Sequence, residues 1–409
     1  MEQSTAQRLA HFLALNRTVA IVLLSVLVFG LGEELWNPFF PTYLRALDKE
    51  TVHGAAALHE VAWSTLWIVG IYGLLRNLFE GFCYIGGGHL TARLGDRGSL
   101  LLFGILTISG YVLFLTIAAD WAAILAALLI VGWEPLSVPV TFTTVGSTVS
   151  SSRQGMAFAI QSIQKRLPKI VGPAIAGVVI GLTDQIAGMR ILVFTSLGLA
   201  VGSLLVQWRW LPHRKQPSSG PSLWRIFRDL HPRLRRLLTA EIFTRWCDWF
   251  VRDFAVLYVM VNCGWSAEAF GLLVATQNTT ALLTYLPIGR MTQAVGLQPF
   301  IGLTFIFFAL FPLALALSPP NGWLFAAFVI YGLREIGEPA RKALITNLMP
   351  EEVRARGVGL YWGMRSFALC TAPLAGAWIW GTYDAQTLLY CAFGLGCAGA
   401  GVFYVFCRE

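Results

Sequence analysis

Long apolar stretches alternate with short polar stretches along the whole chain. Each apolar stretch has roughly 18 residues or more, which is enough for an α-helix to cross about 30 Å of hydrocarbon. The stretches are too long and too continuous for the alternating strands of an outer-membrane barrel. The pattern predicts an all-α, polytopic membrane protein with twelve transmembrane helices, over residues 19–45, 62–88, 99–118, 122–146, 155–183, 189–210, 237–262, 266–290, 298–318, 323–348, 357–381 and 386–407.

Positively charged residues are distributed unevenly between the loops of the two predicted faces. The loops of one face hold only Arg45, Lys49 and Arg190, whereas most of the other loop Lys and Arg residues share the second face with the chain ends. Because cytoplasmic loops carry the excess of Lys and Arg, we expect both termini in the cytoplasm. The sequence thus predicts a multi-pass protein of the plasma membrane, which in a bacterium is the inner membrane.

The longest cytoplasmic stretch, residues 211–236, divides the spans into two groups of six. It reads "LPHRKQPSSGPSLWRIFRDLHPRLRR", and its Pro, Ser and Gly residues are typical of a linker. From Leu223 onward, apolar residues are interleaved with arginines, which fits a short amphipathic helix on anionic lipid; a basic linker that only sets the topology is an equal alternative. The predicted domains are a cytoplasmic tail over 1–18, a six-helix bundle over 19–210, this linker, and a second six-helix bundle over 237–409.

Composition narrows the class of protein further. Hydrophobic residues make up 56% and charged residues 13% of the chain, against about a quarter charged in soluble proteins. The formal net charge of +8 is spread over the cytoplasmic loops, which indicates a membrane surface and not nucleic acid as the partner. No pair of the seven cysteines has metal-ligand spacing. We expect no disulfide framework, no metal and no other cofactor.

The two groups of spans repeat polar, proline and glycine positions, although chance similarity between hydrophobic helices is an alternative. The matched pairs are Tyr43 with Tyr258, Glu33 with Asp248, Asn37 with Arg252, Gly70 with Gly271, Asn77 with Asn278, Gly88 with Gly289, Glu134 with Glu338, Lys165 with Arg365, and Pro173 with Pro373. A parallel repeat of six spans is the design of several transporters, which bind their solute between the repeats near the middle of the membrane.

With two groups of six spans, cytoplasmic ends and a long central loop, the chain resembles the major facilitator superfamily over nearly all of its length. The stretch "GGGHLTARLGDRGS" is similar to that family's loop motif Gly-x-Leu-x-Asp-Arg-x-Gly-Arg-Arg between the second and third spans. Its candidate gating residues are Gly88, Arg93, Gly95, Asp96 and Arg97, with Ala92 in place of the motif's Asp. The resemblance implies a monomeric secondary transporter with two six-helix bundles.

A second, shorter motif lies in the fifth span, "PKIVGPAIAG". It is similar to the antiporter motif Gly-x-x-x-Gly-Pro-x-x-Gly-Gly in Gly172, Pro173 and Gly177, and departs from it at Pro168 and Ala176. The similarity implies export in exchange for another solute or ion. It is the only basis for a direction of transport.

Formal charges inside the spans are the main candidates for chemistry. The stretch "GLREIGEPARKALI", residues 332–345, carries five of them, and each would cost roughly 2.5–3.5 kcal/mol at the bilayer centre. These groups must therefore face protein or a water-filled cavity. Arg334, Glu338 and Lys342 are spaced by four residues, with Arg341 three from Glu338, so a continuous helix would place them on one stripe.

Mid-span charged and amide residues of the other spans complete the predicted site. The candidates for the substrate or proton site are Glu33, Asn37, Glu134, Lys165, Lys169, Asp248, Arg252, Gln277, Arg334, Glu338 and Arg365. Interhelical ion pairs that only lock the bundle are the alternative for about half of the buried charges. Arg76 with Glu80, Arg245 with Asp248, and Glu351 and Glu352 with Arg354 fit that alternative best.

Carboxylates are the predicted proton carriers, because no histidine lies in the interior of a span. A buried carboxylate with a raised pKa binds and releases protons near neutral pH. Glu134 and Glu338, each followed by proline, are the first candidates. Aromatic residues that could stack on an amphiphilic solute lie beside the charged stretches, at Trp36, Phe39, Phe40, Tyr43, Trp133, Trp246, Trp249, Tyr258, Tyr361 and Trp362.

Three functions fit these patterns. The first is a secondary active transporter of small organic solutes by alternating access, coupled to protons and exporting. The second is a carrier that takes up or exchanges an organic anion without protons and reads it with Lys165, Lys169, Arg252 and Arg365. The third is a membrane receptor that binds a ligand without flux. Nothing supports an enzyme, because the metalloprotease, serine-hydrolase and phosphate-loop motifs are missing from the sequence.

Overall fold

The computed structural model describes residues 17–48, 61–138, 151–211, 223–318, 323–349 and 354–406, and these residues contain helices and no strand. The helices are α1 (Arg17–Glu34), a 3₁₀ helix (Asn37–Phe39), α2 (Phe40–Leu47), α3 (Trp63–Thr116), α4 (Asp120–Val131), α5 (Ser151–Leu182), α6 (Gln185–Trp210), α7 (Leu223–Arg228), α8 (Pro232–Val251), α9 (Ala255–Leu257), a π-helix (Tyr258–Asn262), α10 (Ala267–Val295), α11 (Gln298–Leu317), α12 (Leu324–Leu333), α13 (Glu338–Asn347), α14 (Arg354–Leu369), α15 (Ala372–Thr382) and α16 (Ala385–Phe406).

Helical residues coincide with every predicted span, and the all-α polytopic fold is confirmed. Seven stretches of the described residues are long and apolar enough to cross a membrane: Ala20–Leu47, Trp63–Thr91, Arg93–Thr116, Asp120–Val138, Gln185–Trp210, Gln298–Leu317 and Ala385–Phe406. The other helical segments are shorter, or are not apolar enough over 18 residues. The number of twelve spans therefore stays a prediction, as does the division into domains, because residues 1–16 and 212–222 lie outside the described residues.

The predicted loop between the second and third spans is wrong in its extent. Two helices within Trp63–Thr116 meet at a kink at Gly95, whose torsion angles, φ 72° and ψ 172°, are not helical. This left-handed region is accessible to glycine because glycine lacks a Cβ atom. Just after this kink, Arg97 Nη2 donates to the carbonyl oxygen of Trp208 near the end of α6, at 2.5 Å. The motif residues thus form a tight helical corner.

The first and seventh predicted spans are broken at equivalent places, which supports the internal repeat. The first span is interrupted at the 3₁₀ helix Asn37–Phe39, and the seventh is interrupted by a turn over residues 252–254. The tenth predicted span is broken by a turn over residues 334–337, whereas the fourth continues through Gly132, with φ −61° and ψ −21° and the Leu136 N–H donating to the Gly132 carbonyl. Asn77 and Asn278, matched by the repeat, donate to the carbonyl four residues earlier, each at 2.9 Å.

The halves contact each other through related packings: α5 packs on α10, and α3 packs on α14 and α15, the two segments of the eleventh predicted span. A Cβ atom on Gly271 of α10 would lie 2.3 Å from the carbonyl oxygen of Pro173 in α5. A Cβ atom on Gly70 of α3 would lie 3.2 Å from the carbonyl oxygen of Pro373 in α15. Each crossing therefore places a glycine against the proline carbonyl of the other half, and the small residue permits the close approach.

The antiporter-like residues of α5 take part in the same packing. A Cβ atom on Gly172 would lie 2.8 Å from backbone and side-chain carbon atoms of Glu34 in α1, and one on Gly177 would lie 2.5 Å from the carbonyl oxygen of Ala267 in α10. The motif thus allows α5 to pack closely on its own half and on the other half at once. A role in the direction of transport stays a prediction.

Replacement of Gly271 by alanine tests the close crossing. The added methyl group must push α5 away from α10, and we expect a loss of about 1–3 kcal/mol of stability, seen as a lower melting temperature of the detergent-purified protein. Gly198→Ala is the matched control, because no atom lies within 4 Å of its added Cβ. An equal effect of the two substitutions would show that the crossing tolerates a larger separation.

Candidate functional site

A cavity of about 330 Å³ lies where the two halves meet, in the lower part of the size range of ligand sites. Its wall combines charged groups of α5, α8 and α14 with the unwound segments of the first, seventh and tenth predicted spans. Among the predicted site residues it contains Asn37, Glu134, Lys165, Lys169, Arg252, Gln277, Arg334, Glu338 and Arg365. The structure thus brings together most of a set of residues that is scattered from 33 to 365 along the chain.

The two remaining predicted residues lie beside this cavity. Glu33 lines a smaller cavity of about 130 Å³ that shares Asn37, Arg252 and Arg365 with the first. Asp248 lines neither cavity; it accepts hydrogen bonds from Arg334 and from the Tyr331 hydroxyl, the latter at 3.0 Å. Asp248 therefore holds a wall residue in place.

In the first half, two lysines of α5 are paired with carboxylates. Lys165 Nζ lies 3.0 Å from Glu134 Oε1, and Lys169 Nζ lies 3.4 Å from Glu34 Oε1. Spacing by four residues along α5 places both ammonium groups on the cavity side. Glu34 was not among the sequence candidates, because adjacent Glu33 and Glu34 cannot be told apart without knowing which face of α1 meets α5.

In the second half, two arginines contact two carboxylates, one of which is shared by both arginines. Arg341 contacts Glu338 through Nη2 at 2.6 Å and Glu241 through Nη1 at 2.7 Å. Arg245 Nη2 reaches Glu338 Oε2 at 3.5 Å. The predicted local pair of Arg245 with Asp248 is wrong, because the Asp248 side chain contacts Arg334 on a neighbouring helix.

The predicted continuous stripe over the tenth span is also wrong. Helix α12 ends at Leu333 and α13 begins at Glu338, so Arg334 and Glu338 are not successive turns of one helix. Across the break, Glu335, Ile336 and Glu338 each donate to the carbonyl three residues earlier, at 3.0 to 3.1 Å. The spacing rule fails here because it assumes regular helix geometry. The side chain of Lys342 lies outside the described residues.

One arginine of the first half is bound entirely by groups of the second half. Arg166 donates to the Tyr285 hydroxyl at 2.9 Å, to Asn278 Oδ1 at 3.0 Å and to Glu335 Oε2 at 2.5 Å. Arg166 lies beside the predicted lysine stripe, but Tyr285 carries no sequence signal because tyrosines are common in membrane helices. This contact ties α5 to α10 and to the unwound segment after α12.

A hydrogen-bonded chain connects α1 with α3. Arg76 donates from Nε to Glu80 Oε1 at 2.9 Å and from Nη1 to Asn37 Oδ1 at 3.3 Å, and Asn37 Nδ2 donates to Glu33 Oε1 at 3.3 Å. The predicted pair of Arg76 and Glu80 is present. Arg76 nevertheless faces both cavities, so it is a wall residue as well as a structural partner.

Most of the predicted aromatic set cannot stack on a solute. Trp36, Phe39, Phe40 and Tyr361 are 0% exposed and pack in the hydrophobic core. Trp362 alone of that set lines the larger cavity, and Trp249 lines the smaller one. The other aromatic groups of the larger cavity are Tyr84, Phe270, Tyr285, Phe328 and Tyr331. In the described part of the chain, no group of three or more His, Cys, Asp or Glu side chains could hold a metal ion.

Removal of Arg341 tests whether the buried network stabilises the second half. In Arg341→Met the Glu241 carboxylate, 0% exposed, loses its cation, and we expect a loss of about 3–5 kcal/mol of stability. The double variant Arg341→Met with Glu241→Gln should recover most of this loss, measured as the melting temperature in detergent. Equal melting temperatures of single variant and wild type would contradict the assignment.

Comparisons with known proteins agree with this architecture. The family model of the Major Facilitator Superfamily matches residues 238–409. An uncharacterized MFS-type transporter of Methanocaldococcus jannaschii is 20% identical over 341 residues, which cover 79% of this chain and 82% of that protein.

Solved transporter structures share the fold along nearly the whole chain. The human organic anion transporter MFSD10 (TETRAN) is 16% identical with a TM-score of 0.70 and covers 94% of this chain and 98% of its own. A POT family transporter in complex with 5-aminolevulinic acid is 13% identical with a TM-score of 0.76, covering 95% of this chain and 96% of its own. The nucleoside transporter NupG is 13% identical with a TM-score of 0.69, covering 95% and 99%. At these identities the likeness shows the fold alone.

Proposed function

We propose that this chain is a secondary active transporter of the Major Facilitator Superfamily that moves a small organic solute by alternating access, supported by the family match over residues 238–409 and by the MFS-type relative. The observation that carries this proposal is the polar cavity between the halves, into which both halves place charged side chains. Its wall includes helix breaks that recur in the two halves. Rocking of one half against the other would open this site first to one side of the membrane and then to the other, with one chain sufficient for the cycle.

Proton coupling is the finer part of the proposal, and it rests on Glu134 and Glu338. They are matched by the repeat, and each faces the cavity and contacts a basic group, Lys165 in the first half and Arg341 in the second. A proton on either carboxylate removes the attraction to its cation, which changes the field that the solute meets. Competition between proton and basic side chain for one carboxylate thus links protonation to solute binding.

Export is the direction we propose, on the similarity of Gly172, Pro173 and Gly177 to the antiporter motif.

A specific observation favours the organic-anion candidate as well: the larger cavity is lined by nine basic and five acidic side chains. The basic residues are Arg76, Lys165, Arg166, Lys169, Arg245, Arg252, Arg334, Arg341 and Arg365, and the acidic ones are Glu34, Glu134, Asp253, Glu335 and Glu338. An excess of fixed positive charge attracts an anion.

Substitution of the two carboxylates tests proton coupling. A solute that raises the melting temperature in a metabolite and drug screen is loaded into proteoliposomes, and its flux and the internal pH are followed together. We expect Glu134→Gln and Glu338→Gln to abolish solute-driven proton movement while solute exchange without a pH gradient continues. Wild-type proton movement in both variants would refute the assignment of the carriers.

Two controls separate the competing functions. Glu268→Gln, at the start of α10 and outside both cavities, should keep wild-type coupling. An organic anion that exchanges in the wild type with no proton movement would favour the carrier without proton coupling. A solute that binds but is never transported would favour a receptor.

We also propose that the amphipathic segment around α7 lies on anionic lipid at the cytoplasmic face. Ile226 is buried, and its Cγ2 lies 3.8 Å from the Cβ position of Gly357 near the start of α14. Trp224 and Phe227 remain exposed with ring centroids 5.6 Å apart, and Arg225 and Arg228 flank them. An exposed aromatic pair beside arginines fits the headgroup region of an acidic leaflet.

Lipid composition tests this surface. The melting temperature of the wild type should be higher in nanodiscs that contain phosphatidylglycerol than in phosphatidylcholine alone, because each arginine near an anionic surface contributes about 1 kcal/mol. Arg225→Gln with Arg228→Gln should remove most of this difference. Arg190→Gln, an exposed arginine at the other end of the bundle, is the control that should retain it. A difference unchanged by the double substitution would leave α7 as a linker only.

A further inference from the structure

Seven of the nine basic side chains in the cavity wall already have a carboxylate. An acidic oxygen lies within 4.0 Å of Arg76, Lys165, Arg166, Lys169, Arg245, Arg334 and Arg341. Arg252 and Arg365 have no such partner among the residues that the structure describes. Both line the larger and the smaller cavity. Among the basic side chains of the cavity wall, these two therefore lack a paired carboxylate in the described part of the structure.

The repeat explains why Arg365 lacks a carboxylate partner among the described residues. Its equivalent in the first half, Lys165, is paired with Glu134 at 3.0 Å. The carboxylate that corresponds to Glu134 is Glu338, and this group is engaged by Arg341 at 2.6 Å and by Arg245 at 3.5 Å. Arg365 thus has no carboxylate of its own, and its buried Nε atom has no hydrogen-bond acceptor in the described part of the structure.

Arg252 is exposed to the cavity by the break after α8. Its guanidinium lies over the Trp249 ring, with Cζ 4.7 Å from the centroid, and this stacking leaves its N–H groups available. Asp253 also faces the larger cavity, but its oxygens lie beyond 4.0 Å from every guanidinium of the described residues. The equivalent position in the first half is Asn37, so the repeat provides a cation here in one half only.

From these contacts we propose that Arg252 and Arg365 bind the anionic group of the transported solute, which is an organic carboxylate or phosphate ester. This inference rests on the proposed function, because it assigns the solute to the cavity. A guanidinium pairs with planar oxyanions through two parallel N–H donors, and such charge-assisted bonds are stronger than neutral ones. Two cations kept in a membrane cavity are costly unless an anion or water compensates them. The lysines of α5, the other candidates for this role, are occupied by Glu134 and Glu34.

The probes for the test are pairs of one anion and its neutral counterpart. Succinate and succinamide, benzoate and benzamide, and glycerol 3-phosphate and glycerol are titrated into the detergent-purified full chain, with sulfate as an inorganic oxyanion. The melting temperature reports binding, because a ligand that binds the folded state stabilises that state. The stabilisation increases with the ratio of ligand concentration to Kd. We expect at least one organic anion, and not its neutral partner, to raise the melting temperature of the wild type.

Substitutions then assign the binding. Arg252→Gln and Arg365→Gln should each weaken the apparent affinity about 10- to 100-fold, the range for one lost charged hydrogen-bonding partner, and the Lys variants should recover part of it. Arg190→Gln, outside both cavities, should bind as the wild type does. Without ligand, both Gln variants should melt at or above the wild-type temperature, because no carboxylate loses a partner.

Several results would overturn the proposal. These are stabilisation by neutral probes alone, stabilisation by no organic anion, anion binding that survives both Gln substitutions, or a ligand-free melting temperature that falls in both variants. Flux separates this inference from the proposed function. Transport of a neutral or cationic solute that depends on Glu134 and Glu338 but not on the two arginines would leave the transporter intact and exclude the anion site. Anion binding through the two arginines without any flux would support the anion site and contradict the proposed transport function.

Discussion

The structure depends on one constraint: a charge inside the membrane must meet an opposite charge, a polar group or water. The chain satisfies it by turning its ionisable groups away from lipid and toward the meeting place of the two halves. Arg334, Glu335 and Arg341 are each less than 10% exposed, although all lie in a strongly apolar region of the chain. Ion pairing removes most of the energetic cost of these charges. The basic groups without a paired carboxylate are those at which we propose that the solute binds.

Helix breaks make this arrangement possible. A regular helix satisfies its own backbone, so it offers the cavity only side chains, and only one face of them. Where the chain unwinds, at Asn37–Phe39, at 252–254 and at 334–337, consecutive residues can point in different directions. Glu335 thereby reaches Arg166 of the other half while Glu338 binds arginines of its own half. We propose that the two arrangements of the halves in alternating access interconvert at these breaks.

The sequence alone was sufficient for the class of fold and for most of the candidate site. Hydropathy located the helical segments, and the repeat predicted the equivalence of Gly70 with Gly271, which the structure shows as two matching contacts on proline carbonyls. The energetic cost of intramembrane charge identified the groups that now line the cavity. Regular geometry was the assumption that failed, since a stripe from Arg334 to Lys342 requires a continuous helix and the chain is unwound there.

What the sequence determined by itself was which side chains cannot face lipid, because that depends only on their chemistry and on the length of the apolar stretches around them. It could not determine partners, because partners lie up to 169 residues apart, as Arg166 and Glu335 do. Only the tertiary structure decided that Glu338 is paired with Arg341 and Arg245, that Lys165 and Lys169 have carboxylate partners, and that no carboxylate of the described residues pairs with Arg252 or Arg365. Neutralisation depends on distances of a few ångströms between helices, and these distances are set by packing.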